Sequence, residues 1–201
     1  MSSGFDIIRQ FEQRLAEFVG APFAIMTDCC THAIELCFRY DNIKNCGLTP
    51  YTYISVPMTL HKLGIEYSYI NEEEQTWVGE YNFVHTRIWD SARRLERGMY
   101  KEGSMQCLSF GNGKPLQIGR GGAILLDDKK AYDAILCQRY DGRDLTIVPW
   151  ESQVEFKVGY HYKPTIEEAE KGIKMLEYVK IANPAPQFVR YPDLRKIKII
   201  D

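Results

Sequence analysis

Lys114 closes a glycine turn, Gly111-Asn-Gly-Lys114, that follows a strand-like run over 105–110. A second glycine group (Gly119, Gly121, Gly122) and an apolar run over 123–126 come next. Ser109 lies five residues before the lysine, and Asp90 ends an earlier apolar run over 84–89. A lysine on a loop at a strand end, with a hydroxyl and an aspartate nearby, suits Schiff-base chemistry with a phosphorylated aldehyde cofactor. Taken alone, each residue has a plainer reading. Lys114 could be a surface lysine on a turn, and Asp90 could cap the turn over 91–94. Arg93 and Arg94 could be a solvated pair or could attract a phosphate.

The elements that must position these groups follow from periodicity. Apolar residues at 7, 8, 11, 15, 18 and 19 recur at helical spacing, and Gly20 ends that helix. A short strand is expected over 23–26. A helix over 31–40 follows, with Thr27 or Asp28 placed to cap it. A turn and strand edge over 50–56, a helix over 57–63 and a strand over 66–70 come next. Further strands are expected over 81–89, 105–110 and 123–126. Helices are expected over 129–139 and 165–179, the last with Thr165 at its cap and Glu167 and Glu168 in its first turn. Residues 141–158 read as a long irregular stretch, and the acidic run 72–74 as a solvated loop. Alternating strands and helices predict an α/β fold of three layers, α/β/α, around a mainly parallel sheet. Ligands of such sheets bind at the carboxyl ends of the strands. Lys114, Asp90, Thr31 and Tyr53 all fall just after expected strands or at helix starts.

Together these residues resemble the DegT/DnrJ/EryC1/StrS sugar aminotransferases, fold-type-I enzymes that depend on pyridoxal 5'-phosphate. The likeness runs in order from about residue 8 to 180. Residues 11–21, Phe-Glu-Gln-Arg-Leu-Ala-Glu-Phe-Val-Gly-Ala, look like the family's first helix. Cys29-Cys30-Thr31 stands where the family has Ser-Gly-Thr, and Pro50-Tyr-Thr-Tyr-Ile-Ser55 matches its Thr-aromatic segment. Trp89-Asp-Ser-Ala92 sits at its Glu-Asp-x-Ala. Ser109, Lys114 and Gly121-Gly122 match its serine, cofactor lysine and paired glycines. Gly159-Tyr-His-Tyr-Lys-Pro-Thr165 stands where it has Gly-aromatic-Asn-aromatic-Arg-Met-Thr.

The resemblance implies roles. Lys114 would form the internal aldimine and carry the proton, and Asp90 would hold the pyridine nitrogen protonated. Thr31 and Ser109 would bind the phosphate, with Cys30 beside them. Tyr53 would stack on the ring. Arg93 replaces the family's glutamine or histidine at the cofactor. His161 and Lys163 would reach toward the partner's phosphate in a homodimer. The donor would be an amino acid such as glutamate and the acceptor a nucleotide-linked keto-sugar. Residues 1–182 would form the cofactor-binding large domain. The tail 183–201 would replace or truncate the smaller second domain of the family. The retained lysine argues against the family's dehydratase branch, where histidine stands. Cys30 in place of glycine and the shortened chain motivate an alternative: a catalytically degenerate member that binds cofactor or nucleotide-sugar, or pairs with a longer homologue.

Bulk properties are those of a globular protein. The 201 residues are 45% hydrophobic and 26% charged, with net charge −2. That balance gives no support to a nucleic-acid or membrane-surface partner. No apolar run reaches the roughly 20 residues needed to span a bilayer, and the N-terminus lacks the regions of a signal peptide. Six cysteines without C-x-x-C spacing read as reduced thiols in a cytoplasm. The four histidines show no metal-ligand spacing. The glycine turn is not a P-loop, since Pro115 stands where a Ser or Thr belongs, and no G-x-G-x-x-G opens a helix after the first strand.

Overall fold

A computed structural model describes residues 4–182, 185, 186 and 188–199; residues 1–3 and the tail positions 183, 184, 187, 200 and 201 lie outside the described residues. The first helix, α1 (Gly4–Val19), buries Ile8, Phe11, Leu15, Phe18 and Val19 on one face. Gly20, at φ +76°, ends it by donating to the Ala16 carbonyl at 2.9 Å, a left-handed cap that glycine adopts without a Cβ penalty. Strand β1 (Phe23–Thr27) leads into α2 (Cys30–Tyr40). Strand β2 (Asn45–Leu48), which the sequence did not suggest, precedes α3 (Ser55–Lys62) and β3 (Glu66–Tyr69). The expected long strand over 81–89 is two short ones, β4 (Tyr81–Asn82) and β5 (Ile88–Asp90). They form an antiparallel pair around His85, whose φ of +68° turns the chain back. Then come β6 (Met105–Ser109), β7 (Gly122–Leu126), α4 (Lys129–Gln138) and α5 (Ile166–Ala182).

The five-stranded sheet runs β1-β7-β6-β5-β4, and β2 pairs with β3 beside it through a bridge between Gly47 and Val84. The fold is α/β in three layers, but the sheet is mixed. Only β5–β6 and β2–β3 are parallel, while β7 runs against both β6 and β1. The reason is local. No helix separates β6 from β7, and a short irregular loop returns the chain antiparallel, whereas a parallel step needs a crossover.

Alternate residues of the strands serve opposite cores. Ile25, Ile124, Leu126, Met105 and Cys107 pack beneath α2, α3 and α4. Ala24, Met26, Ala123, Leu125 and Leu108 pack against α1 and α5. Gly172 lets α5 close on α1, since a Cβ there would lie 2.7 Å from the Phe11 ring. Arg139, from the end of α4, reaches under β1, donating to the Met26 carbonyl at 2.6 Å and to Glu12. Thr165 caps α5 as expected, with its hydroxyl accepting from Glu168 N–H at 3.2 Å and Glu168 accepting from Thr165 N–H at 2.9 Å.

Candidate active site

Strands β1, β5 and β6 share one direction, so their carboxyl ends lie along one edge of the sheet. There the chain forms a cleft of about 390 Å³. Lys114, Asp90, Cys30, Thr31, Tyr53, Arg93 and Ser109 all line it. His161 does not. It lies in a second cleft of about 460 Å³ with Lys163 and Thr165, and its Nδ1 is 2.9 Å from Asp141.

Asp90 ends β5 and is buried. Its Oδ1 accepts from the Ala92 N–H at 2.9 Å and its Oδ2 from the Tyr81 hydroxyl at 3.0 Å. Tyr81 in turn lies 2.6 Å from the Thr52 hydroxyl, so Thr52 donates to Tyr81 and Tyr81 to Asp90. Burial raises the Asp90 carboxyl above the ordinary carboxylate range, against these hydrogen bonds and nearby Lys114. Lys114 is half-buried. Burial first, and the Arg93 charge second, lower its amine below the usual lysine value, while Cys30 and Asp90 oppose the shift. The site thus holds an amine biased toward its neutral, nucleophilic form across from a hydrogen-bonded carboxyl group. Arg93 donates to the Gly113 carbonyl at 3.1 Å and so braces the turn that carries Lys114.

The start of α2 forms another wall. Cys29, rather than Thr27 or Asp28, is its N-cap; its backbone is extended and its sulfur accepts from the His32 N–H at 3.5 Å. The Thr27 hydroxyl instead donates to the Cys29 carbonyl at 2.9 Å, and Asp28 binds His32 and Arg120. Gly122 makes this position possible, because a Cβ there would lie 2.5 Å from the backbone of Cys29 and Cys30. Thr31 directs its hydroxyl to that of Ser55, 2.9 Å away at the start of α3. The free N–H groups at the start of α2 and this hydroxyl pair suit an anionic group. The Cys30 thiol is buried, and burial raises it well above the usual thiol range.

Trp77 and Tyr191 also line this cleft, and nothing in the sequence placed them there. Tyr191 comes from the tail. Its ring stacks on Trp77 at 5.8 Å, and its N–H donates to Gln75 at 2.8 Å. Leu194 is buried, and its N–H donates to the Pro50 carbonyl at 2.9 Å, so the tail is fastened along the rim of the cleft. No local pattern marks these residues, which meet only through long-range packing.

The model of the DegT/DnrJ/EryC1/StrS aminotransferase family matches residues 2–95 and 92–184. The chain belongs to this family. No curated protein matches the sequence. Among solved structures, AtS13 from Actinomadura melliaura superposes with a TM-score of 0.76 at 18% identity, over 87% of this chain and 60% of that one. The aminotransferase from Psychrobacter cryohalolentis gives 0.71 at 16%, over 88% and 57%. PseC from Helicobacter pylori, an aminotransferase involved in the biosynthesis of pseudoaminic acid, gives 0.72 at 16%, over 87% and 58%. At these identities the likeness is one of fold. The chain spans about 60% of the length of these solved structures.

Proposed function

We propose that this chain is the cofactor-binding unit of a pyridoxal-phosphate-dependent aminotransferase that moves an amino group from an amino acid such as glutamate to a nucleotide-linked keto-sugar. The observation that carries the reading is Lys114 and the buried, doubly hydrogen-bonded Asp90 lining one cleft at the strand ends. The donor set fits pyridoxal phosphate. An amine biased toward neutrality can attach to its aldehyde, a carboxylate can pair with its ring nitrogen, and the start of α2 can take its phosphate.

When bound, the cofactor supplies an electron-withdrawing ring that stabilises the carbanion left when a proton leaves the substrate carbon. With the cofactor bound, Lys114 Nζ would be the amine that holds it and, once freed by the donor's amine, the base that takes and returns the migrating proton. Asp90 would pair with the ring nitrogen and hold it protonated, helped by Tyr81 and Ala92, whose donated hydrogen bonds favour its anionic form. Thr31, Ser55 and Ser109, which line the cleft, would hold the phosphate, with Cys30 beside them. Tyr53, 60% exposed at the mouth, would cover the ring face. Arg93 braces the lysine turn and meets the substrate's anionic part.

Residues 1–182 form the cofactor-binding domain in this reading, and the tail from 183 contributes Tyr191 as a wall of the cleft. A homodimer is favoured by the segment 148–158, which displays Val148, Val154, Phe156 and Val158, Val154 at 93% exposure. His161 and Lys163 would then serve the partner's site. Six free thiols suit a cytoplasmic setting, and among the described residues no helix is long and apolar enough to cross a membrane. A second reading, cofactor binding without turnover, is favoured by the buried Cys30 at the phosphate wall and by Tyr191 standing in the cleft. The visible spectrum of the purified protein with added pyridoxal phosphate tests both. A yellow band that borohydride bleaches, present in the wild type and absent in Lys114→Ala, is the expected result. No band in either would overturn the proposal. A band without amino transfer from glutamate would select the second reading.

A further inference from the structure

The start of α2 carries a constellation that the cofactor reading does not use. The Cys29 sulfur, a ring nitrogen of His32 and a carboxylate oxygen of Asp28 all lie within 4.8 Å of one another. His32 Nδ1 is 2.7 Å from Asp28 Oδ1, and Arg120 donates to the other carboxylate oxygen at 2.8 Å. The His32 ring is fixed from its face by Tyr162, stacked at 3.7 Å and 10°. Burial favours the neutral ring, but hydrogen bonds to Asp28 and then Cys29 outweigh it and raise His32 to about 9. At neutral pH the sulfur therefore faces an imidazolium, and it also accepts from the His32 N–H in the first turn of α2.

Access separates this thiol from the others. Cys30, Cys37, Cys46 and Cys107 are buried. Cys137 is half-exposed like Cys29, but burial raises its thiol and no histidine adjoins it in the way His32 adjoins Cys29. Cys29 opens into the cleft that holds Lys114.

We propose that Cys29, with His32 as its proton partner and Asp28 orienting His32, is a nucleophilic thiol open to modification by soft electrophiles and peroxides. Because His32 already carries a proton, the thiol first gives its own proton to solvent; the thiolate sulfur then attacks one oxygen of hydrogen peroxide, an S–O bond forms and the O–O bond breaks. Sulfur loses two electrons to give a sulfenic acid, and the departing hydroxide takes the proton of His32 and leaves as water. His32 is then recharged from solvent. With an alkyl iodide, an S–C bond forms and iodide departs. The adduct lies in the cleft beside Cys30 and Thr31, where added bulk obstructs an anionic ligand. This proposal stands apart from the cofactor reading, because the chemistry needs no pyridoxal phosphate.

The test is limiting iodoacetamide at pH 7 on the intact chain without cofactor, with each cysteine followed by peptide mass spectrometry. Cys137 in the same molecule is the internal standard. Cys29 is expected to react about tenfold faster than Cys137, the scale on which a neighbouring cation activates a half-exposed thiol. His32→Gln should remove the advantage, and Asp28→Asn should reduce it if His32→Gln does not fold. Hydrogen peroxide with dimedone should tag Cys29 first. Wild-type Cys29 reacting no faster than Cys137, or keeping its full advantage in a folded His32→Gln protein, would overturn the proposal.

Discussion

Tyr81 donates its hydroxyl to Asp90 at 3.0 Å while lying 2.6 Å from the Thr52 hydroxyl. This relay joins a strand, a loop and the carboxyl group at the floor of the cleft, all out of water. Tyr81→Phe removes one donor from a buried carboxyl group and strands Thr52. The expected cost is about 1–3 kcal/mol of stability, the scale for an unsatisfied buried polar group. Urea unfolding at pH 7 reads it directly. A variant as stable as the wild type would show that the relay contributes nothing. The loss should also weaken retention of pyridoxal phosphate, measured by dialysis, because Asp90 is left with one fewer hydrogen bond favouring its charged form.

Gly122 answers to backbone rather than to side chains. A methyl group there would lie 2.5 Å from Cys29 C and Cys30 N, and neither is the end of a flexible side chain. Gly122→Ala must push α2 away from β7. The expected destabilisation is about 1–3 kcal/mol or more, and cofactor binding should fall with it because Thr31 moves. A thermal melt unchanged from wild type would contradict this packing account.

The His32 pair makes stability depend on pH. Its folded value is raised to about 9 from an ordinary 6.5. The folded state therefore holds the proton more tightly, and the stabilisation is fully present below 6.5 and lost as pH rises toward 9. Asp28, Cys29 and Arg120 face the pair, and Tyr162 stacks on it with Lys62 beyond. The side chain is partly exposed, so solvent screening reduces the effect to about 1 kcal/mol. Comparing wild type with His32→Gln, the wild-type advantage should shrink between pH 6.5 and 9. An advantage that grows over that window would reverse the assignment.

Leu194 fastens the tail. It is 3% exposed and sits where its N–H meets the Pro50 carbonyl at 2.9 Å. Leu194→Ala removes an anchor worth about 2–5 kcal/mol in a packed site. That is more than a short segment on a rim is expected to hold in reserve, so the tail should detach locally. Limited trypsin digestion should cut faster after Arg190 while the main thermal transition stays in place. An unchanged cleavage rate would mean that the tail is held by other contacts.

The sequence by itself determined the local and the linear. The period of α1 and the Gly20 cap follow from spacing and from the missing Cβ. The turn that presents Lys114 after β6, and Asp90 at the end of an apolar run, are likewise properties of neighbouring residues. The order of the motifs carries the family. Tertiary structure alone decided the direction of β7, the break of 81–90 into two strands at His85, and the identity of the N-cap of α2. It also brought Tyr81, Thr52, Ser55 and the tail's Tyr191 to the cleft. The physical reason is that helical period and turn chemistry are written within a few residues. Strand partners, hydrogen-bond relays and close approaches such as Gly122 against Cys29 are set by the packing of segments far apart in the chain.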